Sequence, residues 1–94
     1  MKLTGLKVLE DFCNNHADVR KQIEAWKNEV EDADWKSPLE VKGRYPSASV
    51  IDGSTIVFNI KGNDYRLLTK ISFENKTVLV KEIGTHDDYD KWDL

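Results

Sequence analysis

The fold is decided by the stretch TIVFNIKGNDYRLLTKISFENKTVLVKEI, residues 55–83. Apolar side chains alternate with polar ones along three runs, which are separated by Gly62-Asn63 and Asn75-Lys76. A period of two is typical of half-buried strands, and such short turns join antiparallel neighbours. Asp52-Gly53, just ahead of this stretch, is a further hairpin turn signal. We therefore predict a four-stranded antiparallel meander with strands over 48–51, 55–61, 65–73 and 77–83.

Upstream of the meander the apolar period lengthens to three or four residues, which predicts helices over 4–15 and 17–33. The apolar residues are Leu6, Leu9, Phe12 and Cys13 in the first helix and Val19, Ile23, Trp26, Val30 and Ala33 in the second. Ser37-Pro38 is a cap followed by proline, and it opens a short helical turn to about Lys42. Helices preceding such a sheet must bury their apolar stripes against one of its faces. The fold class is therefore α+β, with two N-terminal helices on one face of the four-stranded sheet.

Length and composition restrict the class of protein. The chain has 94 residues, of which 39% are hydrophobic and 33% charged, so we expect one small domain over residues 1–94. Its single cysteine, Cys13, excludes an internal disulfide and the common cysteine-rich zinc modules. No stretch has the length and hydrophobicity of a signal peptide or a membrane span. We expect a soluble protein of the cytoplasm that does not associate with membranes.

The net charge of −3 is unevenly distributed along the chain. Residues 1–35 carry −3, residues 36–81 carry +4 and residues 82–94 carry −4. Nucleic-acid binding requires a local positive face and not a basic chain, because particular Lys and Arg side chains contact the phosphates. The basic middle segment is compatible with such a face, and equally with a solvated surface of mixed charge.

Arg66 is the first candidate functional residue. It lies in the middle of a predicted strand, on the face opposite the larger apolar set. A guanidinium placed there is costly unless it pairs with a carboxylate or faces an anionic ligand. The sequence leaves open whether Arg66 binds a ligand or is an ion-paired surface residue.

A second candidate region, Gly84 to Asp90, follows the last strand. Thr85 is a good N-cap for a short C-terminal helix, and Asp87 and Asp88 in its first turn favour the helix dipole. His86 and Tyr89 are three residues apart and therefore share a face, and both can transfer protons. The alternative is a solvated histidine beside a tyrosine packed on the sheet edge. The acidic residues lack the glycine and closing glutamate of a calcium loop, so no metal is expected.

Taken together, several segments resemble the HigB family of bacterial type II toxins, which is related to the RelE-like toxins. The matching pieces, in order and at the right intervals, are Val41-Lys42, Tyr45-Pro46, Val57-Phe58-Asn59-Ile60, Gly62-Asn63, Arg66-Leu67 and Thr85-His86-Asp87-Asp88-Tyr89-Asp90. The resemblance implies a RelE-like fold and a small ribonuclease that cuts mRNA, generally on the ribosome. It also implies neutralisation by a helix-turn-helix antitoxin, HigA. We expect no cofactor.

The candidate residues suit the chemistry that this resemblance implies. Metal-free RNA cleavage needs a base for the attacking 2′-OH, a cation for the phosphorane and an acid for the leaving oxygen. Arg66 would supply the charge and His86 the acid or the base, while Tyr89 would orient His86 or stack on a nucleobase. Lys42 matches the family's basic position and would hold a phosphate. Further RNA contacts are expected from Arg44, Lys61, Lys70 and Asn63.

Two other functions remain open at this point. The related ParE toxins use a similar fold to poison DNA gyrase, so a non-catalytic binding toxin is one alternative. A decayed toxin that is retained only as an antitoxin ligand is another, since such toxins tend to be basic and this chain is acidic. The combination of His86, Tyr89 and Arg66 favours the nuclease, because a binding module needs no titratable pair beside an arginine.

Overall fold

A computed structural model describes all residues, 1–94. Five strands and four α-helices follow one another with a single 3-10 turn between the first two helices. In chain order they are β1 (Lys2–Thr4), α1 (Leu6–Asn15), the 3-10 turn (Ala17–Val19), α2 (Arg20–Asp32), α3 (Pro38–Arg44), β2 (Ser49–Val50), β3 (Thr55–Ile60), β4 (Tyr65–Ser72), β5 (Thr77–Thr85) and α4 (His86–Tyr89).

The predicted meander is present, and the α+β fold class is confirmed. Strands β2, β3, β4 and β5 pair in sequence order, and every one of these pairings is antiparallel. Phe58 of β3 lies opposite Leu67 of β4, which in turn lies opposite Ile83 of β5. The alternation read from the sequence therefore places these three apolar side chains on one face of the sheet.

The sheet differs from the prediction in its strand count. It has five strands and is mixed, because β1 pairs in parallel with the outer edge of β5, with Lys2 opposite Thr77. The first helix accordingly begins at Leu6 and not at residue 4. Gly5 separates the two elements in a left-handed conformation (φ 75°), and a Cβ at this position would collide with the Val80 carbonyl. A strand of three residues is too short to show a period, so the sequence pattern missed it.

Helices α1, α2 and α3 and the inner face of the sheet share one hydrophobic core. Leu9 and Cys13 of α1 and Trp26 of α2 are buried in it, and the Trp26 ring meets that of Phe58 edge-on with centroids 5.3 Å apart. Burial raises the pKa of the Cys13 thiol, so this cysteine is a packing residue. No helix combines the length and the apolar character needed to cross a bilayer.

The opposite face of the sheet, here called the outer face, carries Arg66, Leu68 and Lys70 of β4. These residues alternate with the core residues Tyr65 and Leu67, and they lie outside the core cluster. The β4–β5 pairing contains an irregularity, since Leu68 lies opposite Glu82 whereas Thr69 lies opposite Val80. Lys81 is thus an extra residue in β5, and this bulge brings Gly84 beside Arg66 in place of Ile83.

Candidate active site

Arg66 is the buried cation of the outer face. Only 8% of its surface is exposed, and it lies in register between Asn59 of β3 and Gly84 of β5. Its Nη1 donates to the backbone carbonyls of Asn63, at 2.9 Å, and Tyr65, at 3.4 Å. No carboxylate lies within 4.0 Å of the guanidinium. A buried cation whose hydrogen bonds go only to neutral carbonyls has no counter-ion, which makes it a favourable place for an anionic group.

Helix α4 covers Arg66 with an aromatic ring. The Arg66 guanidinium carbon lies 5.4 Å from the centroid of the Tyr89 ring, a cation–π contact. The helix is anchored by a capping box, in which the Thr85 hydroxyl accepts from the Asp88 amide at 3.2 Å and the Asp88 carboxylate accepts from the Thr85 amide at 3.0 Å. The bond from the Thr85 amide lowers the pKa of Asp88, because it stabilises the ionised carboxylate. The prediction that Thr85 caps a short C-terminal helix is confirmed.

His86 begins α4 beside the β3–β4 turn. Its backbone amide donates to the Asp64 carbonyl at 3.2 Å, which extends the β4–β5 ladder by one residue. The imidazole is 51% exposed; its Nδ1 lies 3.3 Å from the Asp90 carboxylate, and its ring meets that of Tyr89 edge-on at 6.4 Å. Arg66 and His86 therefore both contact the Tyr89 ring, although 20 residues separate them in sequence.

Two asparagines complete this group. The Asn59 side-chain amide donates to the side-chain oxygen of Asn63 at 3.3 Å, and the Asn63 backbone carbonyl accepts from Arg66. The candidate RNA-binding residue Asn63 is therefore hydrogen-bonded to Arg66 through its backbone. Asn59 was part of the sequence resemblance, but no role was assigned to it. Its alternation with Phe58 and Ile60 would have placed it on the Arg66 face.

Arg44 and Lys61 are both engaged by carboxylates from the helical layer. Arg44 forms an ion pair of 2.6 Å with Glu29 of α2, which also accepts the Tyr45 hydroxyl. Lys61 forms an ion pair of 2.9 Å with Asp18. Hydrogen bonds from Lys61 and from the Tyr65 hydroxyl lower the pKa of Asp18. Both cations are therefore partly neutralised at the side of the sheet that holds the helices.

Lys42 and Lys70 have no carboxylate within 4.0 Å. Lys42 donates to the Ala48 carbonyl at 2.9 Å, next to β2 at the edge of the sheet. Lys70 is exposed on the outer face, four residues along β4 from Arg66, which is about 13 Å at the rise of a strand. The structure thus brings together Arg66, Tyr89, His86 and Asn63, whereas none of the other four cations makes a hydrogen bond or ion pair with this group.

A group of potential metal ligands exists on α4 and directly after it. One ligand atom each from His86, Asp87 and Asp90 lies within 4.8 Å of the others, and all three residues are exposed. The pairing of His86 with Asp90 and the position of Asp87 in the first helical turn account for this cluster without an ion.

The comparisons with known proteins agree with the resemblance seen in the sequence. A family model described as "HigB_toxin, RelE-like toxic component of a toxin-antitoxin system" matches residues 19–92. This match covers more than half of the chain, and it includes every residue of the group around Arg66. The chain therefore belongs to the HigB toxin family, as the sequence resemblance predicted.

Curated relatives match over most of the chain. The mRNA interferase toxin HigB of Escherichia coli strain K12 is 27% identical over 92 residues, which cover 96% of this chain and 88% of the relative. The mRNA interferase HigB of Shigella flexneri matches to the same extent. A third relative of the same name, from Escherichia coli O6:H1, is 30% identical over 64 residues, or 66% of this chain and 62% of its own length.

Proposed function

We propose that this chain is the toxin of a toxin–antitoxin pair and inhibits translation by cutting mRNA as a ribosome-dependent endoribonuclease. Family membership and the names of the curated relatives support the class of activity. One structural observation carries the assignment of the site. The buried guanidinium of Arg66 has no carboxylate partner and lies against Tyr89, beside the titratable imidazole of His86.

The proposed reaction is attack by the 2′-oxygen on the adjacent phosphorus. Arg66 stabilises the negative charge of the phosphorane, because its Nε and Nη2 remain available beyond the two carbonyl contacts of Nη1. His86 donates a proton to the departing 5′-oxygen or accepts one from the 2′-hydroxyl. Because the Asp90 carboxylate faces Nδ1 of His86, the Nε2 of His86 remains free for this transfer. The chemistry needs no metal or other cofactor.

The surrounding cations serve phosphate binding in this proposal. Lys42 holds an adjacent phosphate from the β2 edge, and Lys70 contacts the backbone further along β4. Arg44 and Lys61 make weaker contacts, since their charges are shared with Glu29 and Asp18. Asn63, whose backbone carbonyl accepts from Arg66, contributes its side-chain amide to RNA binding. The RNA then crosses the outer face of the sheet.

The family description implies an antitoxin partner. We propose that this partner is a helix-turn-helix protein of the HigA type, and that the toxin acts in the cytoplasm, where ribosomes are found. Residues 1–94 act as one toxin domain, consistent with the single core shared by α1, α2, α3 and the sheet.

The two alternatives differ from the nuclease in what the wild-type protein would do. A gyrase-poisoning toxin would arrest growth without cutting mRNA, and a decayed toxin would bind its antitoxin but not arrest growth. The acidic net charge motivates the second alternative. The buried and unpaired Arg66 argues against it, because a guanidinium that had lost its ligand would gain from exposure or from a carboxylate neighbour.

The test is mRNA cleavage on programmed ribosomes by Arg66→Ala and Arg66→Lys. We expect Arg66→Ala to lower the rate at least 10²-fold, the scale for removing one group that stabilises the transition state. Arg66→Lys should fall between wild type and Arg66→Ala, since it keeps the charge but loses the two-pronged geometry. Arg20→Ala on α2 is the matched control and should cleave normally. Undiminished cleavage by a folded Arg66→Ala would refute the proposal.

A further inference from the structure

Tyr89 and Trp92 are set apart from the other aromatic residues of the chain. Of the nine aromatic side chains, the other seven belong to the hydrophobic core or pack against it. Tyr89 and Trp92 do neither. Their rings meet at 82° with centroids 5.7 Å apart, and both are only partly exposed. Both rings lie outside the core, and one of them, that of Tyr89, contacts the buried guanidinium of Arg66, so their role is not to stabilise the core.

The backbone after α4 fixes the position of Trp92. The Lys91 amide donates to the Asp88 carbonyl and the Trp92 amide to the Tyr89 carbonyl, each at 3.1 Å, so the chain continues to turn after the helix. His86, Tyr89 and Trp92 are spaced by three residues and consequently share one face. The three-residue spacing that places His86 and Tyr89 on one face extends to Trp92. Trp92 was not among the candidate residues predicted from the sequence.

Tyr89 is already engaged by its neighbours. One face of its ring holds the Arg66 guanidinium, and its aromatic neighbours His86 and Trp92 meet it edge-on. Trp92, in contrast, has Tyr89 as its only aromatic neighbour. Indole is a large stacking surface, and single-stranded RNA is commonly bound by stacking of unpaired bases on aromatic rings.

We propose that Trp92 is a stacking site for the nucleobase that adjoins the phosphate held by Arg66. The occupant is a base of single-stranded mRNA, because Trp92 contacts Tyr89 and Tyr89 contacts the guanidinium of Arg66 that holds the phosphate. This inference rests on the proposed nuclease function and adds to it a binding residue. In this arrangement Tyr89 packs against Arg66 and Trp92 and does not itself stack on the base.

The experiment uses mRNA carrying 2-aminopurine next to the scissile phosphate, with a 2′-O-methyl group that blocks attack. The emission of 2-aminopurine falls when it stacks, so adding wild-type toxin to the programmed ribosome should quench it. Trp92→Leu should abolish the quenching, and Trp92→Phe should retain part of it. With cleavable mRNA, Trp92→Leu should raise KM roughly tenfold, the scale for losing one base–aromatic stack, and lower kcat less than threefold. Leu39→Ala, at an 80% exposed apolar residue of α3, is the matched control.

Several outcomes would overturn the inference. Unchanged quenching and KM in Trp92→Leu would show that Trp92 does not hold a base. So would a loss of antitoxin affinity in Trp92→Leu with RNA binding intact, because the surface would then belong to the antitoxin. Failure of the nuclease proposal is distinguishable: wild-type toxin would quench the 2-aminopurine in a Trp92-dependent way but would not cleave the unblocked mRNA.

Discussion

Gly84 of β5 lies directly beneath Asp88 of α4, so closely that a Cβ at position 84 would be 2.8 Å from that of Asp88. Cross-strand pairing places Gly84 beside Arg66, on the same face of the sheet. The absence of a side chain at this position lets the C-terminal helix fold back over the outer face and carry Tyr89 to the guanidinium. The active-site geometry therefore depends on a glycine that takes part in no chemistry.

The first prediction concerns this close approach. Gly84→Ala should force Asp88 away from β5 and cost about 1–3 kcal/mol, as overpacking does elsewhere. Cleavage should fall more than stability alone explains, because Tyr89 and His86 move with the helix. Gly43→Ala is the matched control, since a Cβ there meets nothing within 4 Å and alanine favours its helix by about 0.5–1 kcal/mol. Urea unfolding and cleavage rates measure both effects, and a Gly84→Ala protein as stable and active as Gly43→Ala would contradict this account.

The second prediction is the pH dependence of the capping box. Bonds to Thr85 lower the pKa of Asp88, so the ionised carboxylate stabilises the folded state above the ordinary aspartate pKa of 3.8. That stabilisation is lost as the pH falls through the lowered pKa. Asp88→Asn should therefore be less stable than wild type at pH 7, and the difference should shrink below pH 3.8. Asp87→Asn, which removes no cap bond, is the control in the same urea titrations, and a difference that persists at low pH would count against the cap.

The third prediction concerns the salt dependence of ribosome binding. Lys42→Ala and Lys70→Ala should each weaken binding and flatten the dependence of affinity on salt, because these lysines have no carboxylate partner to share their charge. Arg44→Ala and Lys61→Ala should flatten it less, since Glu29 and Asp18 already pair with the cations. Binding measured from low to high salt tests this ordering. If the affinity of all four variants depended equally on salt, the ion pairs of Arg44 and Lys61 would not reduce their part in binding, which would contradict this prediction.

Most of the fold could be predicted because its signals are local. The period of two in β3, β4 and β5 and the period of three to four in α1 and α2 each extend over enough residues to be recognised. β1 has only three residues and exists because it pairs with β5. Its Lys2 pairs with Thr77, 75 positions later in the chain, so no local pattern marks this strand. The bulge at Lys81 was equally invisible, since it exists only relative to β4.

The candidate site was predictable where strand pairing alone determines proximity. Arg66 and His86 converge because a tight turn joins β4 to β5, which the sequence indicates. The ion pair of Lys61 with Asp18 spans 43 positions and depends on how the helical layer packs on the sheet, so the sequence could not separate Lys61 from the unpaired cations. Trp92 was overlooked for a different reason: a tryptophan near the chain end has no pattern that distinguishes a core residue from an exposed ring.

The most direct test of the central claim is single-turnover mRNA cleavage on programmed ribosomes by His86→Gln. Glutamine keeps much of the size and hydrogen bonding of histidine but cannot titrate. We expect cleavage to fall roughly 10²–10⁴-fold, the usual scale for losing a general acid or base, with ribosome binding close to wild type. His16→Gln is the control, because His16 stacks on Phe12, which packs against the core. Wild-type cleavage by His86→Gln would contradict the catalytic assignment of His86.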